Sequence, residues 1–266
     1  MLEIVKKDAN NNFIMGSEPK LVKSTIKFKG KNNRLVCEDN VVLYDSNIYF
    51  EGDNSIIYLS RNNHRYHVHV SIFNNSFLFF DERTYLASKV SFVISEGRNV
   101  FIGENCMFAK RIALRLSDAH LIYDVESMER INVSESVYMG DHVWIGQEAL
   151  LLKGIQIGSG SIIGARCVLS SKKIPSNSLW GGIPAREIRK NVFYDSASNH
   201  FFTDIETSKS MKYDSDRWIY QNEGEVLSFD DIELKIRNAK DVDEKVNLLI
   251  QIRNNKSHNR FYIPDE

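Results

Sequence analysis

Residues 139–170 read MGDHVW-IGQEAL-LLKGIQ-IGSGSI-IGARCV-LS. A bulky apolar residue opens every hexad: Met139, Ile145, Leu151, Ile157, Ile163 and Leu169. Glycine follows at Gly140, Gly146, Gly158 and Gly164. Four residues after each opening position stands a second, mostly small or β-branched set: Val143, Ala149, Ile155, Ser161 and Cys167. A period of six is neither the helical 3.6 nor the alternation of a single strand. It describes a three-sided coil of about six residues per side, with the opening residue turned inward and glycine easing the corner. One turn cannot bury its own apolar residues, so turns must stack, side upon side, as parallel β-structure about 4.8 Å apart.

Upstream the register is looser. Phe101–Met107 is one clean hexad, and before it apolar clusters alternate with turn residues. These clusters include Leu35–Cys37, Ile56–Leu59, Val68–Val70, Phe77–Phe80 and Val90–Ile94. Residues 20–174 contain no proline, which suits continuous strands because proline removes a ladder donor. The expected fold is therefore an all-β solenoid, a left-handed parallel β-helix over residues 1–190. A break in the repeat at residues 111–136 reads as an inserted loop leaving that scaffold, a usual place for function.

Beyond Pro184 the character changes. Residues 185–192 read as a short helix leaving the barrel. Residues 193–227 read as loop and short turns, with Trp218 as a packing anchor. Ser228 is placed to cap a helix through Lys240, and Asp241 a second through Arg253, on apolar spacing. Residues 255–266 read as a tail. The segment 191–266 is thus expected to be a partly helical extension.

Composition sets the bounds. The 266 residues are 42% hydrophobic and 26% charged, with 34 basic and 35 acidic side chains. A net charge of -1 gives no global field for nucleic acid or a membrane surface. Cys37, Cys106 and Cys167 are too sparse for a disulfide framework or a zinc motif and read as buried thiols. The opening MLEIVKKDANNNF lacks an apolar signal core, and no run approaches the roughly 20 apolar residues of a membrane helix. The expected compartment is the cytoplasm.

Three further pieces join the hexads: SDAH at 117–120, DHVWIG at 141–146 and WGGIPAREIRK at 180–190. Over residues 100–192 the chain resembles the O-acetyltransferases of the hexapeptide-repeat superfamily, those that modify capsular polysialic acid in particular. The resemblance implies acetyl-CoA as donor, a sugar hydroxyl of a bacterial surface polysaccharide as acceptor, no metal, and a homotrimer with clefts between protomers. It implies His120 as general base and Trp144 as a ring lining the site. It places the Gly146 backbone near the thioester carbonyl and Gly164–Ala165 beside the pantetheine arm. Ser170 falls where the family has a hydroxyl near CoA, and Arg186 and Arg189 where basic residues reach its phosphates. Leu121 follows the histidine where the family has proline.

The residue chemistry is consistent with that list. Acetyl transfer to an alcohol needs a base, an oxyanion donor and two substrates held together. A neutral imidazole serves as such a base at pH 7. Asp118 and Glu126 are the carboxylates near enough in sequence to orient His120, and the sequence leaves that choice open. Arg115, Asp118 and Tyr123 are assigned to the acceptor side, although a solvated arginine is an equal reading of Arg115. His142 is read as a structural or site-edge residue. His64, His67 and His69 lack a convincing third metal ligand and are read as solvent-facing. Two other functions stay open: an N-acetyltransferase acting on an amino-sugar nucleotide, and an inert β-helix scaffold.

Overall fold

The computed structural model describes residues 2–224 and 226–265. The chain winds into a parallel β-solenoid with three flat sides, as the hexads require. The first side is a nine-stranded sheet from Ile4–Lys7 to Lys172–Ile174, parallel throughout except for its antiparallel opening pair. The second runs from Tyr85–Leu86 to Arg186–Lys190, and the third has seven strands from Thr25–Phe28 to Val168–Leu169. Each coil visits the first, second and third sides in that order, and Phe101, Met107 and Ala113 sit on successive sides of one coil. All six hexad-opening residues are fully buried, and the second inward set is buried with them. The three cysteines are buried, free thiols.

The coils come in two sizes. Downstream, Val137 pairs with Ile155 and Ile155 with Lys172, the short repeat of the hexads. Upstream, stacked positions lie 21 or 22 residues apart. The extra residues form a wider corner. Asn11, Asn32, Asn54 and Asn75 occupy it with φ of 59–61°. That left-handed region is one asparagine tolerates better than most side chains. Their amides also form a ladder: Asn11 donates to Asn32 at 2.8 Å, Asn32 to Asn54 at 2.8 Å and Asn54 to Asn75 at 3.1 Å. The Asn-rich turn pieces are therefore what keeps a non-hexad coil in register.

The first sheet is buried on both faces, which explains its continuous apolar runs IIYL and FLFF. Its outer face carries a column of Tyr58, Phe79, Phe101 and Tyr138, with Phe79 and Phe101 stacked at 4.7 Å. Helices α2 (Phe229–Asn238) and α3 (Val242–Asn254) cover that column through Phe229, Ile232, Ile236, Val246 and Leu249. Ser228 and Asp241 cap them as the sequence indicates. A short helix α1, Asp204–Lys209, lies earlier in the extension and buries no residue.

Three boundaries differ from the sequence reading. Ala113–Arg115 is a regular strand of the third sheet, paired with Ser91–Val93 and Leu150–Leu152, so the loop departs only after it. Apolar Ile112 and Leu114 continue the inward pattern there. Residues 186–190 form a strand rather than a helix, folding back at Gly181–Gly182 to pair antiparallel with Ser178–Gly181. That pairing satisfies backbone groups the last strand would otherwise leave open at the solenoid's edge. Residues 255–266 are no loose tail. Arg260 is buried, its guanidinium on Asp141 at 2.7 Å and Asp81 at 2.6 Å, and Phe261 packs beside it on Phe101. Two buried carboxylates need such a cation, since either alone would carry a large desolvation cost.

Candidate active site

The candidate residues fall into two groups on different parts of the solenoid. Trp144 stands on the second side, where strand alternation turns it outward while Ile145 points into the core. Its indole is 38% exposed. Met107 and Ile162 are its partners on the neighbouring strands. Continuing along the same row, Ile162 pairs with Leu179 and Leu179 with Arg189. Arg189 thus lies three strand spacings from Trp144, about 14 Å at the usual separation. Both Arg186 and Arg189 are exposed.

Gly146 and Gly164–Ala165 share the corner next to this wall. The Gly146 N–H donates to Ile163 O at 2.7 Å, and the Gly164 N–H to Trp180 O at 2.7 Å. A side chain on Gly146 would meet the backbone nitrogen of Ala165 at 2.5 Å, so only glycine allows the two corners to stack this closely. The Gly146 amide is therefore committed to the ladder, whereas Ala165 N–H and the Trp144 indole N–H have no acceptor among the described residues. Ser170 is exposed just past the third-sheet strand Val168–Leu169, and the Ala185 N–H donates to Val168 O at 3.0 Å. That contact brings the start of the arginine-bearing strand beside it.

The second group sits on the loop between Arg115 and Val137. This excursion leaves the third side and re-enters on the first, at the corner opposite the second side. Its base is well tied. Buried Asn132 donates to His120 O at 2.8 Å and to Asp118 at 3.1 Å, and accepts from the Ile122 N–H at 3.0 Å. Lys153 adds an ion pair to Asp118 at 3.1 Å. The Lys153 and Asn132 bonds hold the Asp118 carboxyl below its ordinary range. Arg130 bonds Glu96 at 2.7 Å and Ser134 supports it, which takes the Glu96 carboxyl down to about 2. Asp124 caps the turn at 126–127, and Tyr123 bridges Arg130 across the resulting hairpin.

His120 is exposed at the edge of this loop, and its imidazole bonds no group among the described residues. Asp118 is engaged by Asn132 and Lys153, and neither it nor Glu126 contacts the ring. Arg115 and Tyr123 are exposed on the same side of the fold. The loop also exposes Leu121, Ile122, Val125, Met128 and Ile131, an unusual apolar load for a solvated hairpin. Within the chain the structure joins Trp144, Gly146, Gly164, Ala165 and Arg189 into one strip and keeps His120, Arg115, Asp118 and Tyr123 away from it.

The other histidines that the sequence singles out have local partners. His67 pairs with Asp45 at 2.9 Å, His69 lies edge-on to Tyr49 and His64 to Tyr85. His142 points away from the solenoid core yet is completely buried, because the segment after Lys190 folds over it. Its ring is sandwiched between Tyr194 at 4.0 Å and Trp218 at 3.6 Å. Nε2–H donates to Tyr194 O at 2.8 Å, and Nδ1 accepts from the Asn105 amide at 2.7 Å. Burial pushes its pKa down to about 4. Tyr194 escaped the sequence reading, since its contact with His142 spans 52 residues and nothing in NVFYDS marks it. Asn132 escaped because its partners lie 10 to 14 residues away within a loop that has no periodicity to mark the contact. A cavity of about 560 Å³ between the helical extension and the last coils, lined by Trp180, Phe229 and Tyr262, includes none of these residues.

Comparison with known proteins agrees with this architecture. Residues 136–171 match the family described as bacterial transferase hexapeptide (six repeats). The polysialic acid O-acetyltransferase of Escherichia coli O1:K1 is 31% identical over 102 residues, 38% of this chain and 33% of that protein. The polysialic acid O-acetyltransferase of Neisseria meningitidis is 43% identical over 61 residues, 23% of this chain and 28% of that protein. The sequence match therefore spans about a third of these curated relatives. The fold likeness extends further. The polySia-specific acetyltransferase NeuO superposes with a TM-score of 0.63 at 29% identity, over 72% of this chain and 90% of that one. The polysialic acid O-acetyltransferase OatWY gives 0.65 at 25% identity, over 77% and 96%. No helix among the described residues is long and apolar enough to cross a membrane. Over residues 136–171 the chain carries bacterial transferase hexapeptide repeats, on a parallel β-solenoid similar in sequence and fold to polysialic acid O-acetyltransferases.

Proposed function

We propose that the protein is an acetyl-CoA-dependent O-acetyltransferase that modifies a sugar hydroxyl of a bacterial surface polysaccharide, in a site completed between protomers of a homotrimer. One observation carries the reading. A continuous strip from Trp144 past Gly146 and Gly164–Ala165 to Arg189 offers a ring, close-approach backbone and cations in that order, on a fold shared with named polysialic acid O-acetyltransferases. That order suits a long thioester donor with an anionic far end. Arg186 and Arg189 would meet its phosphates, Ser170 and the free Ala165 N–H its polar linker, and the Gly146 corner its close passage.

The donor supplies an activated acetyl carbonyl; the rest is done by side chains. His120 takes the proton of the attacking hydroxyl and returns it to the donor's sulfur as the C–S bond breaks. The Trp144 indole N–H, free of an acceptor among the described residues, donates to the carbonyl oxygen as charge develops on it. Arg115 and Tyr123 line the approach of the acceptor, and Asp118 holds the loop rather than the imidazole. Because His120 leaves the corner opposite the Trp144 wall, a neighbouring protomer must bring the two together, and the apolar loop is suited to that contact.

The test is acetyl-CoA turnover followed by thiol release over a panel of polysaccharides and amino-sugar nucleotides. Release that depends on a polysaccharide, with His120→Ala at least about a hundredfold slower yet binding acetyl-CoA as tightly, is the expected result. Release driven only by an amino-sugar nucleotide would replace the acceptor assignment, and no acceptor-dependent release would leave an inert scaffold.

A further inference from the structure

The segment from Val192 to Tyr220 is closed at its base by one side chain. Asn177 donates to Val192 O at 3.3 Å and to Trp218 O at 2.7 Å, and accepts from the Tyr220 N–H at 2.7 Å. Both legs of the closed arm converge on His142 from either face, Tyr194 on one and Trp218 on the other, nearly coplanar at 4° and 7°. Tyr194 is itself buried, and its hydroxyl donates to Asn105 O at 3.2 Å. Its ring also reaches the next outward side chain of the hexad, with the Trp144 centroid 5.7 Å away at 47°. That tilted contact is within the range of favourable aromatic pairs.

We infer that Tyr194 is a positioning residue for Trp144, so that the arm of the C-terminal extension forms one wall of the donor site. The inference rests on the proposed role of Trp144. An outward indole on a strand has alternative staggered rotamers open to it. Met107 and Ile162 bound it along the row of strands, and Tyr194 bounds it from the side. Tyr194 cannot yield, because it is pinned through its ring by His142, through its carbonyl by the His142 Nε2–H and through its hydroxyl by Asn105. The hexapeptide wall thus takes the orientation of the Trp144 ring from a segment 50 residues further along the chain. An indole N–H that must meet a carbonyl oxygen gains from such restraint, since small misplacements at a reacting centre cost on the order of a hundredfold in rate.

A double-mutant cycle on the full chain tests this. Tyr194→Leu should lower kcat/KM about ten- to a hundredfold and raise the KM for acetyl-CoA. Tyr194→Phe, which keeps the ring and loses only the hydroxyl, should recover most of that loss. In a Trp144→Leu background, Tyr194→Leu should cost less than about twofold more, because the ring it orients is gone. Equal losses in both backgrounds would make Tyr194 a fold residue and overturn the inference, as would an undiminished Tyr194→Leu enzyme. In either case a Trp144→Leu enzyme that is itself impaired leaves the site assignment standing. A Trp144→Leu enzyme of full activity would remove that assignment and the inference with it.

Discussion

His142 shows how a single side chain reports on its surroundings. It follows Asp141 in a hexad and precedes Val143, and from the sequence it is an outward histidine beside a candidate ring. The structure buries it completely and neutral, with both nitrogens engaged. Its folded pKa of about 4 lies below the unfolded value near 6.5. Above pH 6.5 both states hold the ring neutral and the difference is silent. Between pH 6.5 and 4 the unfolded chain takes up a proton that the folded chain refuses, so stability falls with pH by up to about 3 kcal/mol. Denaturant melts across that window should show this slope, and His142→Phe, which keeps a flat ring but cannot titrate, should lose it. An identical slope in the two proteins would show that the imidazole protonates in place. The bulky hexad residues were legible because inwardness is a local, periodic property. Tyr194 and Asn132 were not, because neither sits in a periodic segment and each matters through contacts that only the fold makes.

At the scale of elements, legibility followed the same division. Ser228 and Asp241 announce their helices because caps are local chemistry. The strand at 186–190 was misread because its exposed basic residues suit a helix face as well as an edge strand, and only the free edge of the preceding strand decides between them. The upstream coils hid their period because the Asn-cornered turns lengthen it beyond three hexads. The excursion shows what such elements do for chemistry. Asn132 fastens the backbone on both sides of Leu121 while its own side chain stays buried. Asn132→Ala should release the His120 segment without disturbing the solenoid below it. The expected outcome is a fall in kcat of about tenfold, with acetyl-CoA affinity unchanged and a loss of folding free energy within the range of one lost buried hydrogen-bond set, about 1–3 kcal/mol. Raised hydrogen exchange confined to residues 117–134 would locate the effect, and exchange spread through the coils would contradict it.

The whole molecule places its two candidate groups on opposite features of a three-sided prism: the Trp144 strip on one face, the His120 loop at the corner across from it. Rigid stacking makes that separation permanent within one chain, since the coils from Phe101 onward that carry both groups are bonded to one another on three sides. A second copy offers what folding cannot, namely the loop corner of one prism set beside the Trp144 face of the next. Around the closed ring of the proposed trimer this arrangement would repeat, each site drawing its base from one protomer and its ring from another. Helices α2 and α3 leave that face accessible, because they cover the first side, and the Val192–Tyr220 arm borders it only beside Trp144. A mixing experiment follows. Trp144→Leu protomers keep a good histidine, and His120→Ala protomers keep a good ring, so each homogeneous protein should be nearly inactive. Unfolded and refolded together in equal amounts, they should assemble sites that combine the two intact halves at random. About a quarter of the sites would then be whole, and activity should return to about a quarter of the wild-type level. Activity that stays at the sum of the two separate variants, in mixtures shown to contain both chains in one assembly, would mean that each protomer builds its site alone.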